Sequence, residues 1–162
     1  IESVYGEGST ISFEVEQGIV SNALVDDTAP FNTGLDAKNT RAVAVMVIDD
    51  ITTNLTIINS FLKDTNYVVT LADSGAKGLS LMAKKKYDIV LVDHLMPEMD
   101  GIETLKKIRE LGGDYENIPV IALTANTSAD ASKMYKKEGF CDYISKPVTL
   151  DSLIRSIEQN LI

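Results

Sequence analysis

Cysteine and histidine are nearly absent from this chain of 162 residues, which contains one of each, Cys141 and His94. A single cysteine excludes an internal disulfide and a cysteine-rich zinc site, and it fits a reducing compartment. A single histidine argues against a metal centre built from several imidazoles. Any metal site in this chain is therefore expected to use oxygen ligands, which favour hard cations.

Basic residues are also scarce, since 15 Lys and Arg stand against 24 Asp and Glu and leave a net charge of −9. This charge opposes attraction to phosphate backbones, so we expect no direct binding of nucleic acid. No apolar run approaches the roughly 18 residues of a membrane span, and the first residues lack a basic-then-apolar leader. We therefore expect a cytoplasmic location and no membrane contact by this part of the chain.

Hydrophobic residues make up 44% of the chain, which is enough to form a core. The pattern of hydrophobic and polar residues changes along the chain. Two extended stretches flank a glycine-containing turn and predict a hairpin within residues 1–17. Residues 18–41 have weak periodicity and turn chemistry, which indicates a linker. A lone hairpin is marginal in water, so we expect this one to complete a sheet whose other strands lie outside this chain. Residues 42–162 form the main domain.

Short apolar runs alternate with longer amphipathic stretches throughout the main domain. The predicted strands are residues 43–48, 67–71, 89–92, 118–123 and 142–144, and the predicted helices are residues 53–64, 75–85, 101–111, 128–139 and 150–161. Strict alternation predicts right-handed crossovers and a doubly wound α/β domain with a parallel sheet. The strands are almost wholly apolar because such a sheet is covered on both faces.

Polar side chains follow the predicted strands at the edge where open parallel sheets bind their ligands. Asp49 and Asp50 follow the first strand, Asp93 the third, Thr124 the fourth and Lys146 the fifth. Two carboxylates about 4 Å apart repel each other by about 4 kcal/mol at an effective dielectric constant of about 20. A cation must offset that repulsion, and oxygen ligands without His or Cys favour Mg²⁺.

This set of residues is complete for phosphoryl transfer onto an aspartate, with a carboxylate nucleophile, a metal site, a lysine and a hydroxyl. Asp93 is the predicted acceptor because it stands alone, whereas Asp49 and Asp50 are adjacent and can share a metal. Neither common glycine-rich phosphate loop follows the first strand. The phosphoryl donor is therefore expected to be another domain or molecule.

Residues 42–162 resemble the receiver domain of two-component response regulators. The resemblance lies in Val-Ile-Asp-Asp at 47–50, Val-Asp-His-Leu-Met-Pro-Glu-Met-Asp-Gly at 92–101, Leu-Thr-Ala at 123–125 and Tyr-Ile-Ser-Lys-Pro at 143–147. It implies a flavodoxin-like sheet of five strands in the order 2-1-3-4-5, with five helices.

The resemblance also implies roles for the residues at the strand ends. Asp93 is phosphorylated, and Mg²⁺ is bound by Asp49, Asp50, Asp93 and the main-chain carbonyl of Leu95. Such a domain catalyses its own Mg²⁺-dependent phosphoryl transfer and dephosphorylation.

The resemblance also implies how phosphorylation is sensed by three further residues. Lys146 pairs with the phosphoryl group, Thr124 follows it, and Tyr143 is the rotameric switch that enters the space Thr124 leaves. The surface expected to change is the face formed by the fourth helix, the fifth strand and the fifth helix.

The amino-terminal residues 1–17 resemble the last hairpin of a histidine-kinase ATP-binding domain. The parent protein would then be a hybrid sensor histidine kinase in a phosphorelay, and that parent can be membrane-bound. No ATP-lid glycine motif and no phospho-accepting histidine helix is present, so this chain is not a kinase alone. The implied partners are the phospho-accepting domain of a histidine kinase or a histidine phosphotransfer protein, and phosphorylation can be linked to dimer formation.

Two alternative functions remain open from the residues. One is an interaction module of the same fold that works without phosphorylation. The other is a Mg²⁺-dependent phosphatase with an aspartyl-phosphate intermediate, although the first strand ends in Asp-Asp-Ile instead of the Asp-x-Asp pair expected of such an enzyme.

Overall fold

The computed structural model describes residues 2–4, 8–10, 42–126, 128 and 130–161. The chain divides into two compact units, Ile1–Lys38 and Asn39–Ile162. In the first unit, strand β1 (Glu2–Val4) pairs antiparallel with strand β2 (Gly8–Thr10). The predicted linker at 18–41 lies outside the described residues, and so do residues 11–17 of the predicted hairpin.

The second unit contains a five-stranded parallel sheet. Its strands are β3 (Val43–Ile48), β4 (Tyr67–Ala72), β5 (Ile89–Asp93), β6 (Val120–Thr124) and β7 (Asp142–Ser145). They lie in the order β4-β3-β5-β6-β7, and every neighbouring pair is parallel. Numbered within this sheet, the order is 2-1-3-4-5, so the predicted flavodoxin-like topology is confirmed.

Five helices connect or follow the strands of this sheet. They are α1 (Thr52–Leu62), α2 (Gly75–Met82), α3 (Gly101–Glu110), α4 (Ala131–Glu138) and α5 (Leu150–Asn160), and a 3-10 turn spans Gly113–Tyr115. Side chains of α1 and α5 cover one face of the sheet, and those of α2, α3 and α4 cover the other. Each face has a separate hydrophobic core because successive strand residues point to opposite sides.

Polar residues fix the starts of several helices next to the strand ends. The side chain of Asp100 accepts a hydrogen bond from the Glu103 N–H at the start of α3. At the start of α5, Thr149 accepts from the Ser152 N–H. Each such cap contributes about 1 kcal/mol and sets where the loop after a strand ends.

The predicted boundaries differ from the observed ones in two informative places. Strand β6 begins at Val120 instead of residue 118, because Pro119 has no N–H to donate to the sheet. Helix α4 begins at Ala131 instead of residue 128, and Ser128 lies in a turn where its carbonyl accepts from the Ala131 N–H. The other strands and helices differ from the predicted bounds by at most a few residues at their ends.

Candidate functional site

Two of the predicted acidic residues lie side by side because of the strand register. Ile48 of β3 is paired with Val92 of β5, so the next residues along the chain, Asp49 and Asp93, are neighbours at the carboxyl edge of the sheet. Asp49 is completely buried and Asp93 is 5% exposed. Two carboxylates in this position require compensating charge and hydrogen bonds.

Lys146 provides the compensating charge at the same edge of the sheet. Thr124 of β6 is paired with Ser145 of β7, which places Lys146 one position past the end of β7. Its Nζ lies 2.8 Å from Oδ2 of Asp49 and 2.8 Å from Oδ2 of Asp93. One ammonium group therefore bridges the two buried carboxylates, although the residues are far apart in sequence.

Asp50 completes a cluster of three carboxylates. One carboxylate oxygen from each of Asp49, Asp50 and Asp93 can be chosen so that all three lie within 4.8 Å of one another. With one lysine present, the ionised cluster carries a formal charge of −2. A divalent cation would neutralise that charge, and the purely oxygen donor set suits Mg²⁺. The donor set therefore fits the predicted metal.

Asn54, in the first turn of α1, holds the buried Asp49. Its side-chain amide donates to both carboxylate oxygens of Asp49 at 3.0 Å. The main-chain N–H of Ile51 donates to Oδ1 of Asp49 at 2.9 Å. With Lys146 on Oδ2, both oxygens of Asp49 have partners, as a buried carboxylate requires.

Burial and charge change the pKa values of Asp93 and Lys146 for different reasons. Burial raises the pKa of Asp93 above its ordinary value, although the hydrogen bond and charge of Lys146 oppose this rise. Burial alone would lower the pKa of Lys146, but its hydrogen bonds to Asp49 and Asp93 outweigh that effect and raise the pKa above the usual value. Lys146 therefore remains cationic at neutral pH. A bound divalent cation favours the ionised form of Asp93, which is the nucleophilic form.

Thr124, the last residue of β6, is buried, and its hydroxyl oxygen accepts two hydrogen bonds. The Asn126 N–H lies 2.9 Å away, and the hydroxyl of Tyr135 in α4 lies 2.7 Å away. Tyr135 is only 1% exposed. Its ring makes edge contacts with His94 and Phe140 at centroid distances of 5.4 and 5.5 Å.

Tyr143, the predicted switch residue, lies in β7 and is partly exposed. Its ring stacks on that of Tyr135, with centroids 5.6 Å apart and an interplanar angle of 22°. Leu95 lies two residues after Asp93 and is 69% exposed, and its main-chain N–H acts to lower the pKa of Asp93. The roles predicted for them, Tyr143 as the switch and the Leu95 carbonyl as a metal ligand, stay predictions.

The structure brings together the residues predicted from the strand ends, but two contributors were missed. Asn54 could have been found from its position five residues after Asp49, which places it in the first turn of the next helix. Tyr135 gave a weaker signal, as an aromatic residue in a short helix otherwise rich in lysine. Its contact with Thr124 depends on how α4 packs on the sheet.

Comparison with known proteins identifies the class of this domain. Residues 45–158 match the model of the response regulator receiver domain, so the chain belongs to that family. It is 38% identical over 119 residues to the transcriptional regulatory protein ZraR of Klebsiella oxytoca, covering 74% of this chain and 26% of that protein. It is 30% identical over 158 residues to the sensor histidine kinase AruS of Pseudomonas aeruginosa, covering 97% of this chain and 15% of that protein.

A solved structure has the same fold, and it contains magnesium. The receiver domain of the sensor histidine kinase PA1611 from Pseudomonas aeruginosa superposes with a TM-score of 0.66 at 27% identity, covering 74% of this chain and 98% of that domain. That structure has a magnesium ion coordinated in its active site cleft. Receiver domains bind Mg²⁺ in an acidic active site, and in this chain Asp49, Asp50 and Asp93 form a carboxylate cluster that could hold such an ion.

The chain spans about a quarter or less of the length of these curated relatives. Within the described part of the chain, none of the helices combines the length and apolar character needed to cross a bilayer.

Proposed function

We propose that this chain is the phospho-accepting receiver domain of a hybrid sensor histidine kinase, and that Asp93 receives a phosphoryl group from phosphohistidine. The observation that carries the proposal is the bridge of Lys146 between Asp49 and Asp93 at 2.8 Å to each. It sets a nucleophile, a cation and metal-binding carboxylates at one edge of the sheet. A buried cluster of this charge is costly to maintain, which supports retained chemistry over an interaction module that works without phosphorylation.

In the proposed transfer, an Asp93 carboxylate oxygen attacks the phosphorus atom and the phosphorus–nitrogen bond to the donor imidazole breaks. The imidazole nitrogen keeps the bonding electron pair and takes up a proton, and Asp93 becomes an acyl phosphate. Mg²⁺ would be held by Asp49, Asp50, Asp93 and the Leu95 main-chain carbonyl, and it would neutralise charge on the transferring oxygens. Lys146 supplies a second positive charge next to Asp93. Attack by water on the same phosphorus atom releases inorganic phosphate and returns Asp93 to the free carboxylate.

The hydroxyl of Thr124 would then donate a hydrogen bond to a phosphoryl oxygen. Its two lone pairs already accept from Asn126 and Tyr135, so the proton is the part of the group that is free for a new bond. The phosphoryl group carries close to two negative charges at pH 7 and attracts such a donor. Movement of Thr124 and Tyr143 would carry the signal to the face formed by α4, β7 and α5.

We propose that the phosphoryl donor docks on an apolar rim of this chain around the acidic cluster. Its exposed members are Ile51, Ile57, Leu95 and Leu150, each between 41% and 69% exposed. A groove next to the cluster is lined by Asn54, Ile57, Ile58, Pro147 and Val148, with Asp49 and Lys146 at its polar end. This arrangement suits a helix that presents a phosphohistidine to Asp93, from a kinase domain or from a phosphotransfer protein.

The hybrid-kinase parent is supported by the similarity to AruS, which extends over 97% of this chain and so beyond the receiver domain. In this proposal residues 1–17 are the end of a kinase ATP-binding domain, residues 18–41 are a linker, and residues 42–162 are the receiver. We place the reaction in the cytoplasm because histidine kinases make phosphohistidine from ATP. Pairing of two receivers on phosphorylation is part of the same proposal.

The decisive experiment measures intact mass after incubation with acetyl phosphate, with Mg²⁺ or with chelator. We expect wild type to gain one phosphoryl group with Mg²⁺, and Asp93→Asn to gain none, because its amide cannot attack. The matched control is Asp73→Asn, since Asp73 directly follows β4 at the same edge but pairs with Lys77 on the surface. This variant should be labelled like wild type.

Equal labelling of Asp93→Asn would disprove the assignment of the acceptor. No labelling of wild type, from either acetyl phosphate or a phosphorylated histidine kinase, would favour the interaction module. Turnover of small phosphoesters would instead favour the aspartyl-phosphate phosphatase.

A further inference from the structure

The hydroxyl of Thr124 is tied to helix α4 as well as to its own loop. Its oxygen accepts from the Asn126 N–H at 2.9 Å and from the Tyr135 hydroxyl at 2.7 Å. A hydroxyl oxygen has two acceptor lone pairs, so both are used. When the oxygen shifts toward a phosphoryl group on Asp93, the bond from Tyr135 has to stretch or break.

Tyr135 cannot replace that bond with one to water where it lies. The residue is 1% exposed, and its ring is enclosed by His94, Phe140 and Tyr143. A buried hydroxyl that loses its partner carries an uncompensated desolvation cost. The ring can relieve the cost only by moving with its helix or its aromatic neighbours, because protein interiors are closely packed.

We propose that Tyr135 is a positioning residue that holds Thr124 in its unphosphorylated place and passes the displacement of Thr124 to α4. The inference rests on the proposed function, because it concerns how phosphorylation of Asp93 is communicated. Thr124 and Tyr143 are the expected pair of switch residues, and the proposal adds Tyr135 between them.

The stacking of Tyr143 on Tyr135 gives the same inference a second basis. The rings are 5.6 Å apart and nearly parallel, and Tyr135 is the one that contacts the Thr124 hydroxyl. An inward movement of Tyr143 therefore requires a matching movement of Tyr135. The hydroxyl bond of Tyr135 opposes that movement until Thr124 leaves.

The test compares affinities for beryllofluoride with Mg²⁺, which together mimic the phosphoryl group on an aspartate. Tyr135→Phe keeps the ring but removes the bond that is made only before phosphorylation. We expect it to bind the mimic about two- to tenfold more tightly than wild type, which is the range for one net hydrogen bond.

Tyr115→Phe is the matched control. Tyr115 also has a hydrogen-bonded hydroxyl, 2.8 Å from the Met82 carbonyl and 2.7 Å from that of Lys85, but it lies before β6 and away from Thr124. Its removal should leave the affinity for the mimic unchanged. Because both variants lose one phenolic hydroxyl, a general loss of stability would affect them alike.

A test in the Thr124→Val variant distinguishes loss of the hydrogen bond to Thr124 from a general change in packing around Tyr135. In Thr124→Val the acceptor hydroxyl is gone, so adding Tyr135→Phe should not change the affinity for the mimic. Unchanged or weaker binding by Tyr135→Phe alone, or equal tightening in both backgrounds, would overturn the inference while leaving the proposed function intact. If wild type itself does not bind the mimic, the proposed function fails and the inference fails with it.

A measurement on the unaltered protein covers the case in which the variants fold poorly. In protein labelled with ¹³C at the tyrosine Cζ atoms, the Tyr135 resonance should shift when beryllofluoride and Mg²⁺ are added, because its hydroxyl loses Thr124. A Tyr135 resonance that stays unchanged while the mimic binds would contradict the inference.

Discussion

Asp49 is the most constrained single residue of the site. It is completely buried, and it receives hydrogen bonds from Asn54, from the Ile51 N–H and from Lys146. These partners fix the positions of both oxygens and so orient the carboxylate toward the proposed Mg²⁺ site. Groups that orient a metal ligand often matter nearly as much as the ligand itself.

Asn54→Ala should therefore weaken Mg²⁺ binding by about tenfold, because Asp49 loses two of its hydrogen bonds and is no longer oriented. The affinity is measured by titration with Mg²⁺ followed by NMR. Asn59→Ala is the control, since Asn59 is an exposed asparagine in the same helix. Mg²⁺ affinities that are the same for both variants would show that Asn54 does not orient the ligand.

Among the elements, α3 is the helix whose start packs against the main chain of Asp93, the proposed acceptor. Its first residue, Gly101, lies against the main chain that carries Asp93, and its N–H donates to the His94 carbonyl at 3.0 Å. A Cβ atom at Gly101 would lie 2.5 Å from the Asp93 carbonyl oxygen and 3.0 Å from the His94 Cα. These neighbours are backbone atoms, so they cannot move aside as a flexible side chain could.

Gly101→Ala is expected to lower the free energy of unfolding by about 1–3 kcal/mol, as overpacking does, and to slow phosphoryl uptake by displacing Asp93. Alanine normally stabilises a helix by about 1 kcal/mol relative to glycine. A net loss in the free energy of unfolding would therefore show that the clash outweighs this gain. Urea unfolding and the rate of labelling by acetyl phosphate are the measurements.

The comparison variant for α3 is Asp100→Ala, which removes the cap on Glu103 without adding atoms near Asp93. It should cost about 1 kcal/mol and leave the labelling rate unchanged. The steric account would be wrong if Gly101→Ala were labelled as fast as Asp100→Ala.

At the scale of the whole molecule, the receiver fold draws its described core from one continuous part of the chain. Every buried hydrophobic residue of the two cores lies between Val43 and Ile157. The division of the chain at residues 38 and 39 agrees with this distribution. The receiver is therefore expected to fold without the amino-terminal residues.

A fragment of residues 39–162 should keep the free energy of unfolding to within about 1 kcal/mol, a small part of the typical stability of a domain. Urea unfolding of the fragment and of the full chain checks this. A fragment that begins at residue 46 is the control, because it loses the buried Val43 and Val45 of β3 and should not fold. Loss of several kcal/mol in the longer fragment would contradict the proposed domain boundary.

Much of the fold was predictable because each strand is a short, almost wholly apolar run between amphipathic helices. The four residues Asp49, Asp93, Thr124 and Lys146 were predictable for a related reason, since the carboxyl ends of parallel strands meet at one edge. The start of β6 was misplaced because the apolar run continues through Ile118, and Pro119 ends the hydrogen-bonded part. The order of strands came from family resemblance, because alternation alone is compatible with several orders.

The sequence by itself determined the class of fold and the polar residues at the strand ends, because hydrophobic periodicity and chain order are local properties. Only the tertiary structure decided that Asn54 donates two hydrogen bonds to Asp49, that Lys146 bridges two carboxylates at equal distance, and that the Tyr135 hydroxyl donates a hydrogen bond to Thr124. These contacts depend on strand register and on the packing of α1 and α4 against the sheet. Such packing arises from many residues together, so no single motif specifies it.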